Sequence, residues 1–312
     1  MNISVVIPVY NGANTIESLV QRLAAVLPTL ADSYEVVLVE DGSLDNSWEV
    51  VDLLARTYAW VRGIGLMRNS GQHNALLCGV HAARYEVIIT MDDDLQHPPE
   101  EIHYLLDKLA EGYDVVYGMP RKRPHAWWRI LGSILTKWAI GLAIGNKVLQ
   151  NLQAFRAFRT HLRRAFEDYQ GPEVMLDAML SWSTNRFTSV DVDESPRTVG
   201  VSNYNMRKLI RMAMLILTNF STAPLRLASV IGFFFTLIGL IGLAYVLVIY
   251  SVEGSVPGFP FLASAIIIFS GAQLFALGII GEYLARLFER SSGRKPYTIL
   301  RTTEEPSGVE RL

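Results

Sequence analysis

The chain has 312 residues, half of them hydrophobic and 19% charged, with 28 Lys and Arg against 30 Asp and Glu. A net charge of −2 gives a nucleic-acid partner no support, and a single cysteine, Cys78, excludes an intrachain disulfide framework. So high an apolar content beside so many charges means that the apolar residues are concentrated in part of a chain long enough for one large domain or two modest ones.

The first residues, MNISVVIPVYNG, lack a basic n-region and do not read as a signal peptide. Residues 3–8 are a β-branched run stopped by Pro8 and the Asn11-Gly12 turn signal, a first strand. Residues 15–30 then carry Ile16, Leu19, Val20, Leu23, Val26 and Leu27 at helical spacing. The pattern continues with a strand over 34–39, a helix over 45–58, a strand over 61–66 and a helix over 72–83, in whose apolar run Cys78 reads as a core thiol. A strand over 86–91, a helix over 99–112 opened by Pro98-Pro99, and a strand over 114–118 follow. Strands alternating with helices imply an α/β domain with a mostly parallel sheet covered on both faces. Such sheets take ligands at the carboxyl ends of their strands.

A second regime begins near residue 226. Residues 227–252 and 261–280 are uncharged runs, each of the roughly 20 residues or more that cross a bilayer. The loop between them has no lysine or arginine, whereas Arg207, Lys208, Arg211 and Arg226 precede the first run and Arg286, Arg290, Arg294 and Lys295 follow the second. The positive-inside rule puts both flanks, and with them the α/β domain, in the cytoplasm; buried core helices are the alternative. Residues 206–220 are apolar with a basic first half, either an amphipathic interfacial helix or one packed on the domain. Trp127, Trp128 and Trp138 among Arg123, Arg129 and Lys137 also suit a membrane surface. The expected organisation is an α/β domain over 1–205, an interfacial helix over 206–225, two transmembrane helices over 226–283 and a cytoplasmic tail over 284–312, polar and disordered after Thr302.

Three clusters at strand ends carry chemistry. Asp92-Asp93-Asp94 follows the fourth strand, and three successive carboxylates repel one another. Asp92 and Asp94, two apart, can reach one hard divalent ion if the chain there is extended; a solvated acidic turn is the alternative. Glu40-Asp41-Gly42-Ser43 follows the second strand, where Asp41 either serves turn chemistry or accepts from a base N–H or ribose hydroxyl. Pro8-Val9-Tyr10-Asn11 closes the first strand on the same sheet edge.

The motifs VVIPVYNG, VEDGSLDNS, the stretch from Arg68 to Ala75, DDDLQHPPEEI, GYDVVYG and GEYLARLFERSSGRKPY, in this order, resemble the family 2 glycosyltransferases with a GT-A fold, in the branch that acts on polyprenyl phosphates. That resemblance implies inverting transfer of a sugar from a nucleotide sugar, with UDP favoured, to a polyprenyl phosphate such as undecaprenyl phosphate. It implies a bacterial inner-membrane location and a homo-oligomer, often a tetramer. Pro8, Tyr10, Asn11 and Asp41 fall where the family holds base and ribose. Asp92 and Asp94 fall on its DxD carboxylates, which hold Mg2+ or Mn2+ against the donor diphosphate, with Asp93 between them. Arg123, with Arg121 beside it, falls in its basic phosphate-binding loop, and Arg197, Ser202 and Tyr204 match its segment near the membrane. Two departures stand out: Gln150 occupies the place of a carboxylate assigned as base, and Asn203 that of a cation.

The nucleophile implied is a phosphate oxygen whose second pKa is near 6, so little proton removal is required of a base. Gln150 is therefore expected to bond the donor sugar, and Asp94, Gln150 and Arg123 form the expected catalytic set. The alternative from another class is a catalytically silent GT-A membrane scaffold. A transporter finds no intramembrane charge to use, and a polysaccharide synthase would carry a Q-x-x-R-W signature that is absent.

Overall fold

The computed structural model describes residues 1–121, 153–169, 171, 174–193, 223–253, 258–293 and 295–304. Strands β1 (Asn2–Val9), β2 (Ser33–Glu40), β3 (Val61–Leu66), β4 (Val87–Thr90) and β5 (Val115–Pro120) alternate with helices α1 (Ile16–Leu30), α2 (Ser47–Thr57), α3 (Gln72–Ala82) and α4 (Ile102–Ala110). Each of these elements was expected from the sequence, with ends shifted by a residue or two, apart from the last helix, whose first turn is a 3-10 turn over Pro99–Glu101.

Three further strands join them: β6 (Arg156–Arg159), β7 (Phe187–Val192) and β8 (Ile299–Thr302), with α5 (Leu176–Ser183) between β6 and β7. The sheet runs β7-β5-β6-β4-β1-β2-β3-β8. It is parallel at β3-β2-β1-β4 and antiparallel where β6 and β8 insert. The sequence placed disorder after Thr302. Instead Thr303 donates its amide to the Gly63 carbonyl at 3.0 Å and Glu304 pairs with Arg62 and Arg84, both at 2.8 Å.

The two faces of β1 feed separate cores, as a period of two requires. Ile3, Val5, Ile7 and Val9 pack with α1, α2 and α4 on one side, and Val6 packs with α3 and α5 on the other. The crossover from β1 to β2 and that from β3 to β4 therefore lie on opposite faces. The order reverses between β1 and β4, which opens a crevice at their carboxyl ends. Cys78 is buried in the α3 core, where burial pushes its thiol up to about 12, an inert core sulfur as expected.

Beyond the sheet lie two long helices, α6 (Ala223–Glu253) and α7 (Phe259–Ser291). Within α6, Pro224–Ile249 is long and apolar enough to cross a membrane. Its apolar side chains are outward, Phe233, Ile241 and Val248 each more than 60% exposed, which no soluble core explains. Most of the expected interfacial helix, and residues 305–312 of the tail, lie outside the described residues.

Candidate active site

Register assembles the site. Val9 stands opposite Glu40 in the β1–β2 ladder, and Val6 opposite Thr90 in the β1–β4 ladder. The residues that follow each strand, Tyr10, Asp41 and Asp92, are thereby brought to one edge. A cavity of about 310 Å³ opens there, lined by Pro8, Val9, Tyr10, Asp41, Asn69, Gly71, Gln72, Asp92, Asp93 and Asp94.

The β1–α1 and β2–α2 loops are stitched together below this cavity. The Asn11 amide donates to Ser43 Oγ and Asn11 Oδ1 accepts from the Leu44 amide, both at 3.0 Å. The Gly12 amide donates to Ser47 Oγ at 2.9 Å, and Ser47 in turn donates to Asp45 Oδ1 at 2.5 Å. Asn11, expected as a nucleotide contact, thus joins two loops through its own carbonyl oxygen.

Asp41 is buried and accepts from two backbone amides, Ser70 at 2.7 Å on Oδ1 and Gly71 at 2.9 Å on Oδ2. Burial lifts its carboxyl above the usual range while those donors pull the other way. Gly42, with φ +62°, makes the approach possible. A Cβ there would stand 2.4 Å from Asn69 N and 2.5 Å from the Arg68 carbonyl carbon. No residue type in the 68–72 stretch marks it as the source of these donors; only the need of the strand-end carboxylates for them points there.

After Thr90 the chain leaves the strand and turns through Asp93 and Asp94, with Leu95 in the left-handed region at φ +61°. The extended run expected for Asp92 and Asp94 is thus a turn, and both side chains still line the cavity. Asp92 Oδ1 accepts from Gln72 Nε2 at 2.6 Å, and Asp94 Oδ1 accepts from the Gln96 amide at 3.1 Å. Asp93 turns toward the β1–α1 loop. A Cβ on Gly12 would stand 2.2 Å from its Oδ2, a buried oxygen with no hydrogen-bond partner among the described residues. Burial first, and Asp92 next, push the Asp93 carboxyl up to about 7.

A divalent cation fits Asp92 and Asp94. The donors are hard carboxylate oxygens, and among the described residues no group of three His, Cys, Asp or Glu could complete a cage. An ion there would draw its remaining ligands from water and from phosphate oxygens, the habit of Mg2+.

Behind the acidic turn lies a buried polar cluster that the sequence did not announce. Arg156, 1% exposed, pairs with Asp177 and donates from Nε to Thr90 Oγ1 at 3.0 Å. Asp177 also accepts from Tyr117 Oη at 3.0 Å. Burial works against the guanidinium charge, but Asp177 and Tyr117 outweigh it and hold Arg156 protonated. Two histidines border the site, His73 after Gln72 and His97 stacked on Phe155 at 5.3 Å. Each has a buried Nδ1 without a partner among the described residues, and burial lowers the pKa of both.

Arg121 stands apart from the cavity lining, 3.5 Å from Asp193 and 5.8 Å over the Tyr104 ring. Arg123, Gln150, Arg197, Ser202 and Tyr204 lie outside the described residues.

The profile described as "Glycosyl transferase family 2" matches residues 4–169. An undecaprenyl-phosphate 4-deoxy-4-formamido-L-arabinose transferase of Shewanella sediminis is 35% identical over 301 residues, covering 95% of this chain and 91% of that protein. The transferase of the same name from Aeromonas hydrophila is 33% identical over 315 residues, covering 99% and 97%. Among solved structures, glucosyl-3-phosphoglycerate synthase of Mycobacterium tuberculosis with Mn2+, uridine-diphosphate-glucose and phosphoglyceric acid shares the fold. Its TM-score is 0.52 at 19% identity, over 70% of this chain and 77% of that one.

Proposed function

The chain belongs to glycosyl transferase family 2 and is a glycosyltransferase, and from that premise we propose that it transfers a sugar, with inversion, from a UDP-sugar to undecaprenyl phosphate. The observation that carries the donor half is the convergence of Asp41, Asp92 and Asp94 on one cavity at the sheet's switch point. The acceptor half rests on relatives named for undecaprenyl phosphate that align along nearly all of this chain.

In this reading residues 1–205 form the catalytic domain on the cytoplasmic side of a bacterial inner membrane. Residues 206–225 lie in the interface, and 226–283 cross the bilayer twice. The chain works as a homo-oligomer. Pro8, Tyr10 and Asn11 border the base and ribose, and Asp41 offers the lone pair that each of its oxygens retains beside an amide donor. Mg2+ or Mn2+, held by Asp92 and Asp94, would neutralise charge on the departing diphosphate. Arg121 and Arg123 add charge-assisted bonds to phosphate, and Arg197, Ser202 and Tyr204 meet the acceptor phosphate.

The attacking oxygen belongs to a phosphate monoester that is mostly dianionic at neutral pH. Gln150 therefore need not remove a proton and bonds the donor sugar instead. The test is full-length protein in detergent with undecaprenyl phosphate, Mg2+ or Mn2+ and a panel of nucleotide sugars, one bearing 4-deoxy-4-formamido-L-arabinose. Sugar-linked lipid is read by mass spectrometry. A product that disappears in Asp94→Ala is expected; no product from any donor would overturn the proposal. Gln150→Asp is expected to lower transfer from the preferred donor, and a large gain with a common donor would sink its assignment to the sugar.

A further inference from the structure

The segment that follows α7 returns to the sheet and is fastened along its length. Its strand β8 pairs with β3, Arg301 lies 4.3 Å over the Trp48 ring, and Thr303 Oγ1 accepts from the Gly63 amide at 2.8 Å. Two adjacent residues of this strap hold the elements on either side of the loop that joins β3 to α3, Thr298 at the β3 end and Tyr297 on the C-terminal half of α3. The Thr298 carbonyl accepts from the Met67 amide at 2.9 Å, where β3 ends. Tyr297 packs on the α3 core, with its hydroxyl 3.0 Å from His81 Nδ1 and hydrogen-bonded to Cys78, both on α3. His81 Nε2 is buried without a partner among the described residues, so the tyrosine is that ring's polar contact among them.

The loop between those ends is the one whose Ser70 and Gly71 amides grip Asp41 and which leads to Gln72 on Asp92. It also meets Gly42, where a Cβ would stand 2.4 Å from Asn69 N, and the Ser70 carbonyl accepts from Asn74 Nδ2 at 2.6 Å, but its apolar contacts are few. Met67 is 63% exposed, and nothing lies within 4 Å of where a Cβ on Gly71, φ +96°, would stand. A loop with few apolar contacts takes its place from such polar contacts and from the two elements that flank it.

We infer that Tyr297 is a positioning residue for the donor site: by holding α3 while Thr298 holds β3, it sets where loop 67–71 presents its amides to Asp41 and Gln72 to Asp92. The consequence for donor binding rests on the proposed nucleotide reading; the positioning of the loop does not. The chain's membrane-anchored end is in this way tied to its catalytic end by a contact distant in sequence.

The test compares full-length wild type with Tyr297→Phe, which keeps the ring in the core, and Glu304→Gln, which cuts the far end of the strap at Arg62 and Arg84. Hydrogen exchange without nucleotide should be about tenfold faster at Ser70 and Gly71 in Tyr297→Phe, the loss expected of two ordinary hydrogen bonds. His81→Leu, which removes one of those contacts from the α3 side, should accelerate the same amides. Glu304→Gln should lower the melting temperature and leave these amides at the wild-type rate. UDP should bind Tyr297→Phe more weakly, with KM for the donor raised and kcat held. Wild-type exchange at Ser70 and Gly71 in Tyr297→Phe, or equal acceleration by Glu304→Gln, would reduce the strap to a stabilising element and overturn the inference. UDP that fails to bind even wild type would count against the nucleotide reading, with the exchange rates still deciding the role of Tyr297.

Discussion

Replacing Asp93 with Asn should make the protein more stable at alkaline pH and leave it nearly unchanged only below about pH 4. The Asp93 carboxyl is buried against Gly12, with Oδ2 unpartnered among the described residues and Asp92 beside it. In the folded chain it takes up its proton at about 7, against 3.8 when unfolded. Between those values the native state binds more protons than the unfolded state, so this group makes stability fall as pH rises through that window. At ~1.4 kcal/mol per decade the full displacement corresponds to about 4 kcal/mol, an upper bound because local relaxation relieves part of it. Asn is isosteric with the protonated acid and can still accept the Tyr10 amide bond that Asp93 receives. Thermal unfolding of both proteins in detergent and chelator, at pH 5 and pH 8, isolates the effect. His73, His81 and His97 titrate alike in both, and their depressed pKa values act in the opposite sense. The variant should gain up to about 8–16 °C over wild type at pH 8, at roughly 2–4 °C per kcal/mol for a domain of this size. At pH 5, about one unit above the unfolded pKa, the gain should be roughly two-fifths of that. An equal difference at both pH values would refute the assignment of a buried, proton-holding carboxyl.

Gly42→Ala should cost about 1–3 kcal/mol for the left-handed backbone alone and displace Arg68 and Asn69, which a Cβ would meet at 2.4–2.5 Å; a lower melting temperature together with a raised donor KM checks it. Arg156→Met should destabilise by about 3–5 kcal/mol because Asp177 is left buried and charged, and Arg156→Met/Asp177→Leu should recover much of that loss in urea unfolding. Asp94→Asn, or a chelator on wild type, should lower transfer at least ~100-fold, since even loss of a residue supporting a metal ligand costs 10–100-fold; initial rates with Mn2+ restored after chelation test reversal.

The central strands were legible because each buries a β-branched run between helices of clear 3.6 period. The added strands were not, each for its own reason. β6 reads Arg-Ala-Phe-Arg, and its first arginine is among the most buried side chains in the domain. Hydropathy assigns such a residue to the surface unless its partner, Asp177, 21 residues later, is known. β7 buries only its two ends, Phe187 and Val192. β8 buries none of its four residues and pairs with β3 across more than half the chain, so no local pattern marks it. The uncharged runs announced the two long helices, since composition alone decides them.

The site was legible as residue types at strand ends and illegible as a division of labour among them. Five acids stand there, Glu40, Asp41 and Asp92 to Asp94, and a sequence offers all of them to ligand or metal. Glu40 accepts the Ser43 amide and closes the turn. Asp41 takes two amides from loop 67–71. Asp93 lies under Gly12 and is half protonated near neutrality. A raised Asp93 pKa eases the repulsion among three consecutive aspartates in one turn. It lowers the negative charge at the cavity and leaves Asp92 and Asp94 as the pair through which a cation would act. With its Oδ2 buried under Gly12, Asp93 acts on that pair through charge and packing.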